Sequence, residues 1–235
     1  MDTRTRHALK KDKFAQATAS SVSWLSGHRT GVLRWVVGIA VFLVLLAGGV
    51  IYWSMRSSAA DLALGQAMDV YSSPLALPGA PPEPGVYSTA ADRAKEANRE
   101  FVAIAHDYSW LPDATEAHYF AGVTYQELGQ NSNAEANLQA AAGSWDRNLA
   151  DLAKVALAGL YHQEGRDSDA IALYNQIIAK PSATVSAAVA QLDLADLYVA
   201  EGKQDQARSI WAKVKDQDKD GAAGQIAGQK LAAKQ

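Results

Sequence analysis

The chain has 235 residues, 22 of them basic and 25 acidic, for a formal net charge of −3. It has no cysteine, which excludes disulfides, thiolate catalysis and cysteine-based metal sites. The charge is unevenly placed: the first 56 residues hold 8 basic and 2 acidic residues, and the remainder holds 14 basic and 23 acidic, a net −9 that argues against nucleic acid or anionic lipid as ligands.

In chain order, residues 1–34 form a basic tail with Arg4, Arg6, Lys10, Lys11, Lys13, Arg29 and Arg34 against Asp2 and Asp12. Trp35 to Met55 then runs for 21 residues without a charge. At 1.5 Å per residue such a helix spans roughly 30 Å, the thickness of a bilayer's hydrocarbon layer. The pattern predicts a single transmembrane helix over 35–55, with Trp35, Tyr52 and Trp53 as interfacial anchors. Arg56 is the only basic residue before Arg93, so the basic excess predicts a cytoplasmic N-terminus and places residues 56–235 across the membrane. Ser58-Ala59-Ala60 offers small residues for a signal-peptide cleavage, but the leader and the apolar run are both too long, and an uncleaved anchor is expected. Gly38, Ala40, Ala47, Gly48 and Gly49 would allow close packing against another membrane helix.

Beyond the anchor, Leu62, Leu64, Ala67, Met68 and Tyr71 mark an amphipathic run over Ser58 to Tyr71. Ala94, Ala97, Phe101, Ile104 and Ala105 mark another over Ala91 to Tyr108. These two predict a helical hairpin interrupted by an insertion over 72–90. Five of the chain's seven prolines fall between Pro74 and Pro84, so the insertion reads as an extended spacer.

A threefold repeat follows. Tyr125, Gly129 and Ala134 recur as Tyr161, Gly165 and Ala170, then as Tyr198, Gly202 and Ala207, with copies 36 and 37 residues apart. An Ala/Leu-rich helical stretch precedes each tyrosine, and the glycine ends it where a left-handed residue carries no Cβ penalty. Asn131, Asp167 and Asp205 are expected to cap the second helices. Leu138, Tyr174 and Trp211, four residues after each alanine, read as packing knobs, and Trp110 and Trp145 read as packing residues at hairpin junctions. A period of this length predicts stacked helical hairpins and an interaction scaffold rather than an enzyme.

Small residue, Tyr, Gly, Ala, then Leu or an aromatic: in that order these positions resemble the tetratricopeptide repeat. His118, Lys154 and Gln191 stand where that repeat prefers an aromatic, and only Pro181 approximates its closing proline. Behind the transmembrane helix read from the apolar run, the resemblance implies a right-handed α-solenoid of three to four hairpins, so the expected fold class is all-α. In stacked hairpins the first helices line a concave face. The positions six before, two before and one after each repeat tyrosine are then Tyr119, Val123 and Gln126; Val155, Gly159 and His162; and Leu192, Asp196 and Val199. This groove, with few cations, is expected to take an apolar or amphipathic segment of a protein partner. Val155 and Leu192 fit equally well as packing residues.

Signatures of chemistry are absent from the sequence. No two of His7, His28, His106, His118 and His162 are four apart as in a helical zinc site, and there is no Gly-x-Ser-x-Gly elbow or phosphate-cradling glycine loop. Asp216, Asp218, Asp220 and Gly221 match half of a calcium loop, but Ala227 stands where the bidentate carboxylate belongs, so the segment reads as a polar helix end. No catalysis, cofactor, metal or small-molecule substrate is expected.

The closing unit, with Leu194, Tyr198, Gly202, Lys203, Ala207, Arg208, Ser209 and Trp211, combined with a basic tail and one membrane helix, resembles the bacterial ancillary subunit family of the Sec translocon. That resemblance implies a single-pass inner-membrane adaptor whose periplasmic domain works beside the translocon and hands emerging polypeptides to periplasmic chaperones. The alternative is a cell-envelope scaffold in division or outer-membrane assembly.

Overall fold

The computed structural model describes residues 29–77 and 84–233. The basic tail through His28 and the centre of the proline-rich insertion lie outside the described residues. All nine elements among the described residues are helices, and the chain divides into two compact units at Arg56/Ser57.

Helix α1 covers Arg29–Ser72. Its most apolar stretch has a mean hydropathy of 2.5 and no buried residue, and the helix is long and apolar enough to cross a membrane. Trp35, Tyr52 and Trp53 sit on it, 76%, 60% and 49% exposed. The sequence pattern predicts a membrane helix over 35–55 and an amphipathic run over 58–71, and the two form one continuous helix. Arg56 to Ala60 contains neither proline nor glycine, so nothing local ends the helix there.

In the second unit, the residues of α1 from Ser57 pair with α2 (Ala90–Asp107) as the interrupted hairpin. Leu64 and Ala67 bury against Ala97, Phe101 and Ile104, with Phe101 stacked on Phe120 at 5.2 Å. The ends of the insertion are tied together by a parallel bridge between Leu75 and Tyr87. Thr89 then caps α2 by accepting from the Asp92 amide at 3.0 Å.

Three further hairpins follow: α3 (Pro112–Glu127) with α4 (Asn131–Ala142), α5 (Arg147–Gln163) with α6 (Asp167–Ala179), and α7 (Ala187–Ala200) with α8 (Gln204–Gln217). Each helix packs on its chain neighbours, and α3 also touches α5. A last helix, α9 (Ala222–Ala232), packs on both α8 and α7.

The repeat spacing follows from backbone hydrogen bonds. Gly129, Gly165 and Gly202 have φ of 69°, 74° and 76°, the left-handed region where a Cβ is strained. The amide after each glycine donates back to the repeat tyrosine's carbonyl: Gln130 to Tyr125 at 2.9 Å, Arg166 to Tyr161 at 2.8 Å, Lys203 to Tyr198 at 2.8 Å. The glycine amide donates to the carbonyl three residues back, which completes a Schellman turn. The same Gln130, Arg166 and Lys203 carbonyls accept from Ala134, Ala170 and Ala207, the first bond of the next helix. One residue therefore ends one helix and starts the next. This corrects the capping expectation: Asn131, Asp167 and Asp205 lie inside the second helices, and no side chain caps those N-termini. Asp167 and Asp205 remain in the first turn, where the helix dipole favours a carboxylate.

The repeat alanines are fully buried, as are Ala117, Ala153 and Ala190 on the facing helices. Leu138, Tyr174 and Trp211 bury as the expected knobs. A Cβ on Gly122 would stand 2.6 Å from Leu138, so that contact requires a glycine. Between hairpins, Arg166 places its guanidinium 3.9 Å from the Tyr161 ring centre and donates to both Glu135 oxygens at 3.0 Å. Trp145 does not pack as expected: it is 87% exposed in the turn after α4, and Trp110 is 44% exposed.

Candidate functional site

The nine groove candidates separate into three groups. Gly159 and His162 on α5 and Asp196 on α7 line one open notch of about 250 Å³, together with Tyr174, Asp193 and Leu197. Tyr119, Val123, Gln126, Val155 and Val199 are partly buried. Tyr119 and Val155 pack against the central core, and Gln126 reaches across hairpins to donate to the Ala156 carbonyl at 3.4 Å. Leu192 is 7% exposed and belongs to the core closed by α9, with Trp211, Ala223 and Ala227, so it is a packing residue.

The notch arises from helix geometry. Gly159 has no side chain and an added Cβ there would meet nothing within 4 Å, which leaves the α5 side open. Opposite, Asp193 and Asp196 are three apart on α7 and share a face. Tyr174 enters from α6: its ring supplies the packing expected of a knob, and its edge also borders the notch. Gly165 turns the chain so that His162 Nδ1 meets Asp167 Oδ1 at 2.6 Å, which fixes the imidazole at the rim.

The electrostatics are those of an open acidic recess with Asp193 partly desolvated at its wall. Burial first, then the neighbouring Asp196, push the Asp193 carboxyl above its ordinary range, while Lys230 acts against them. The Tyr174 phenol rises to about 12 through burial, then through Asp193 and Asp196. Lys230 on α9 holds Asp196 at 2.6 and 2.7 Å and lies 5.7 Å from the Trp211 ring centre.

Tyr174 and Asp193 escaped the positional reading. Asp193 was legible as half of an Asp-x-x-Asp pair on an otherwise apolar helix. Tyr174 was legible only as a knob, because spacing says where a ring sits but not what its hydroxyl reaches.

A second recess of about 200 Å³ is lined by Asp113, Glu116, Asp146 and the exposed Trp145. Asp113 is raised by burial and then by a hydrogen bond with Asp61; Glu116 is raised by burial and then by Asp113 and Asp146. The half calcium loop is a helix junction: Asp218 Oδ2 accepts from the Gly224 amide at 3.1 Å, capping α9. Among the described residues, no group of three or more His, Asp or Glu is placed to hold a metal ion.

In comparisons with known proteins, no family model matches this chain and no curated protein matches it.

Proposed function

We propose that this chain is a single-pass membrane protein whose hairpin domain is a non-catalytic adaptor that binds protein partners through its notched face. The observation that carries the reading is the open recess where Gly159, His162 and Asp196, which occupy groove positions of two successive repeats, come together. A tetratricopeptide-like stack presents such a face for polypeptide segments. The apolar stretch of α1 over residues 35–55 is the anchor, and the basic excess before it favours a cytoplasmic N-terminus with the hairpins in the periplasm. Confinement to the bilayer raises the local concentration of the groove near a membrane-borne partner without requiring tight binding.

The resemblance to the ancillary Sec subunit makes the translocon and periplasmic chaperones the proposed neighbours. Affinity purification of the detergent-solubilised full-length chain tests this. Co-purification of translocon subunits or chaperones supports the reading; recovery of division or outer-membrane assembly proteins instead supports the envelope-scaffold alternative. Recovery of no protein at all contradicts the adaptor function.

A further inference from the structure

Within the notch, two polar groups open onto the recess with no hydrogen-bond partner among the described residues. Asp193 is half-buried beside a second carboxylate, and no N–H or O–H among the described residues donates to it. Tyr174 is 7% exposed, borders the same recess, and its hydroxyl makes no hydrogen bond to any described residue. Neither polar atom is sealed from solvent, so the acid and the phenol stand as two acceptors facing one open recess, a place for a ligand that brings donors. An anion would meet Asp193 and Asp196, and an apolar group would leave both polar atoms unpaired. A cation with several N–H groups satisfies them together.

We propose that the notch receives a basic side chain, lysine or arginine, of a partner polypeptide, with its cation held between the Asp193 carboxylate and the Tyr174 hydroxyl. This rests on the adaptor reading. The Tyr174 ring and Leu197 cover the alkyl stem, while Gly159 leaves room for the partner's backbone to approach. The chain already uses the same chemistry next door: Lys230 sits on Asp196 and against the Trp211 ring. Lys230 therefore competes electrostatically for the site, and its removal should strengthen capture.

The test is calorimetry on the full-length chain in nanodiscs. The probes are a capped pentapeptide with one central lysine between leucines, its norleucine counterpart, and spermidine. The lysine peptide should bind at least tenfold more tightly than the norleucine peptide. Asp193→Asn should weaken it at least tenfold, Tyr174→Phe severalfold, and Lys230→Gln should strengthen it severalfold, a gain that misfolding cannot produce. Equal binding of the two peptides, binding of neither, or indifference to Asp193→Asn would overturn the proposal. Spermidine binding as tightly through the same residues would also overturn it, in favour of a free polyamine. If wild type and Asp193→Asn recover the same protein partners from membranes, the cation site fails while the adaptor reading stands. If the wild-type chain recovers none, the adaptor reading fails whatever the peptides do.

Discussion

Two glycines four residues beyond their repeat tyrosines and one glycine in mid-helix behave oppositely, although sequence alone writes them identically. Gly165 and Gly202 hold left-handed φ, so Gly165→Ala or Gly202→Ala should destabilise by about 1–2 kcal/mol. Gly159 is helical with open space beside it, so Gly159→Ala should stabilise by about 0.5–1 kcal/mol. Thermal unfolding followed by circular dichroism reads both, and the same sign at both positions would contradict the turn geometry. The tyrosines add a pH signature. Tyr71, raised by burial and then by its bond to Glu127, and Tyr174 both titrate near 12 when folded against 10 when unfolded. The stability they confer is complete below pH 10 and is lost as pH rises through about 12. Tyr174→Phe should lose less thermal stability than the wild type across that window. The acids run in the same sense: Asp113, Glu116 and Asp193 are raised, so their ionisation costs stability as pH climbs out of the ordinary carboxylate range.

Among the elements, the hairpins were legible and the closing helix was not. In Tyr-x-x-x-Gly-x-x-x-x-Ala the glycine is fixed by its left-handed turn and the alanine by its close helix contact, whereas the tyrosine enters the turn through a backbone carbonyl that any residue supplies. Helix α9 carries only Ala223, Ala227 and Leu231 toward the core, too little apolar signal to separate from a polar tail. Its presence turned Leu192 from a groove residue into a core residue, and its Lys230 engages Asp196 on the helix that forms the notch. A Cβ on Gly224 would lie 1.9 Å from the Asp218 carbonyl oxygen, a backbone clash that only a shift of α9 can relieve. Gly224→Ala should therefore cost roughly 1–3 kcal/mol. Hydrogen exchange should show the loss concentrated in α9 and around Trp211; uniform or absent change would contradict the account of the junction.

For the whole molecule, two features need a common explanation: an apolar helix with no buried residue in its most apolar stretch, and a hairpin domain of net charge −9 with an acidic recess. The adaptor proposed above would use both, the first for location and the second for recognition. Protease added to spheroplasts should digest the hairpin domain and spare the basic tail if the orientation is right. The central claim, that the notched face meets proteins, is tested most directly by a photocrosslinking residue at His162 in native membranes, compared with one at the exposed Lys213 on α8. Discrete protein adducts from His162, absent from Lys213, are the expected result. No adducts at His162, or the same pattern from both positions, would contradict it.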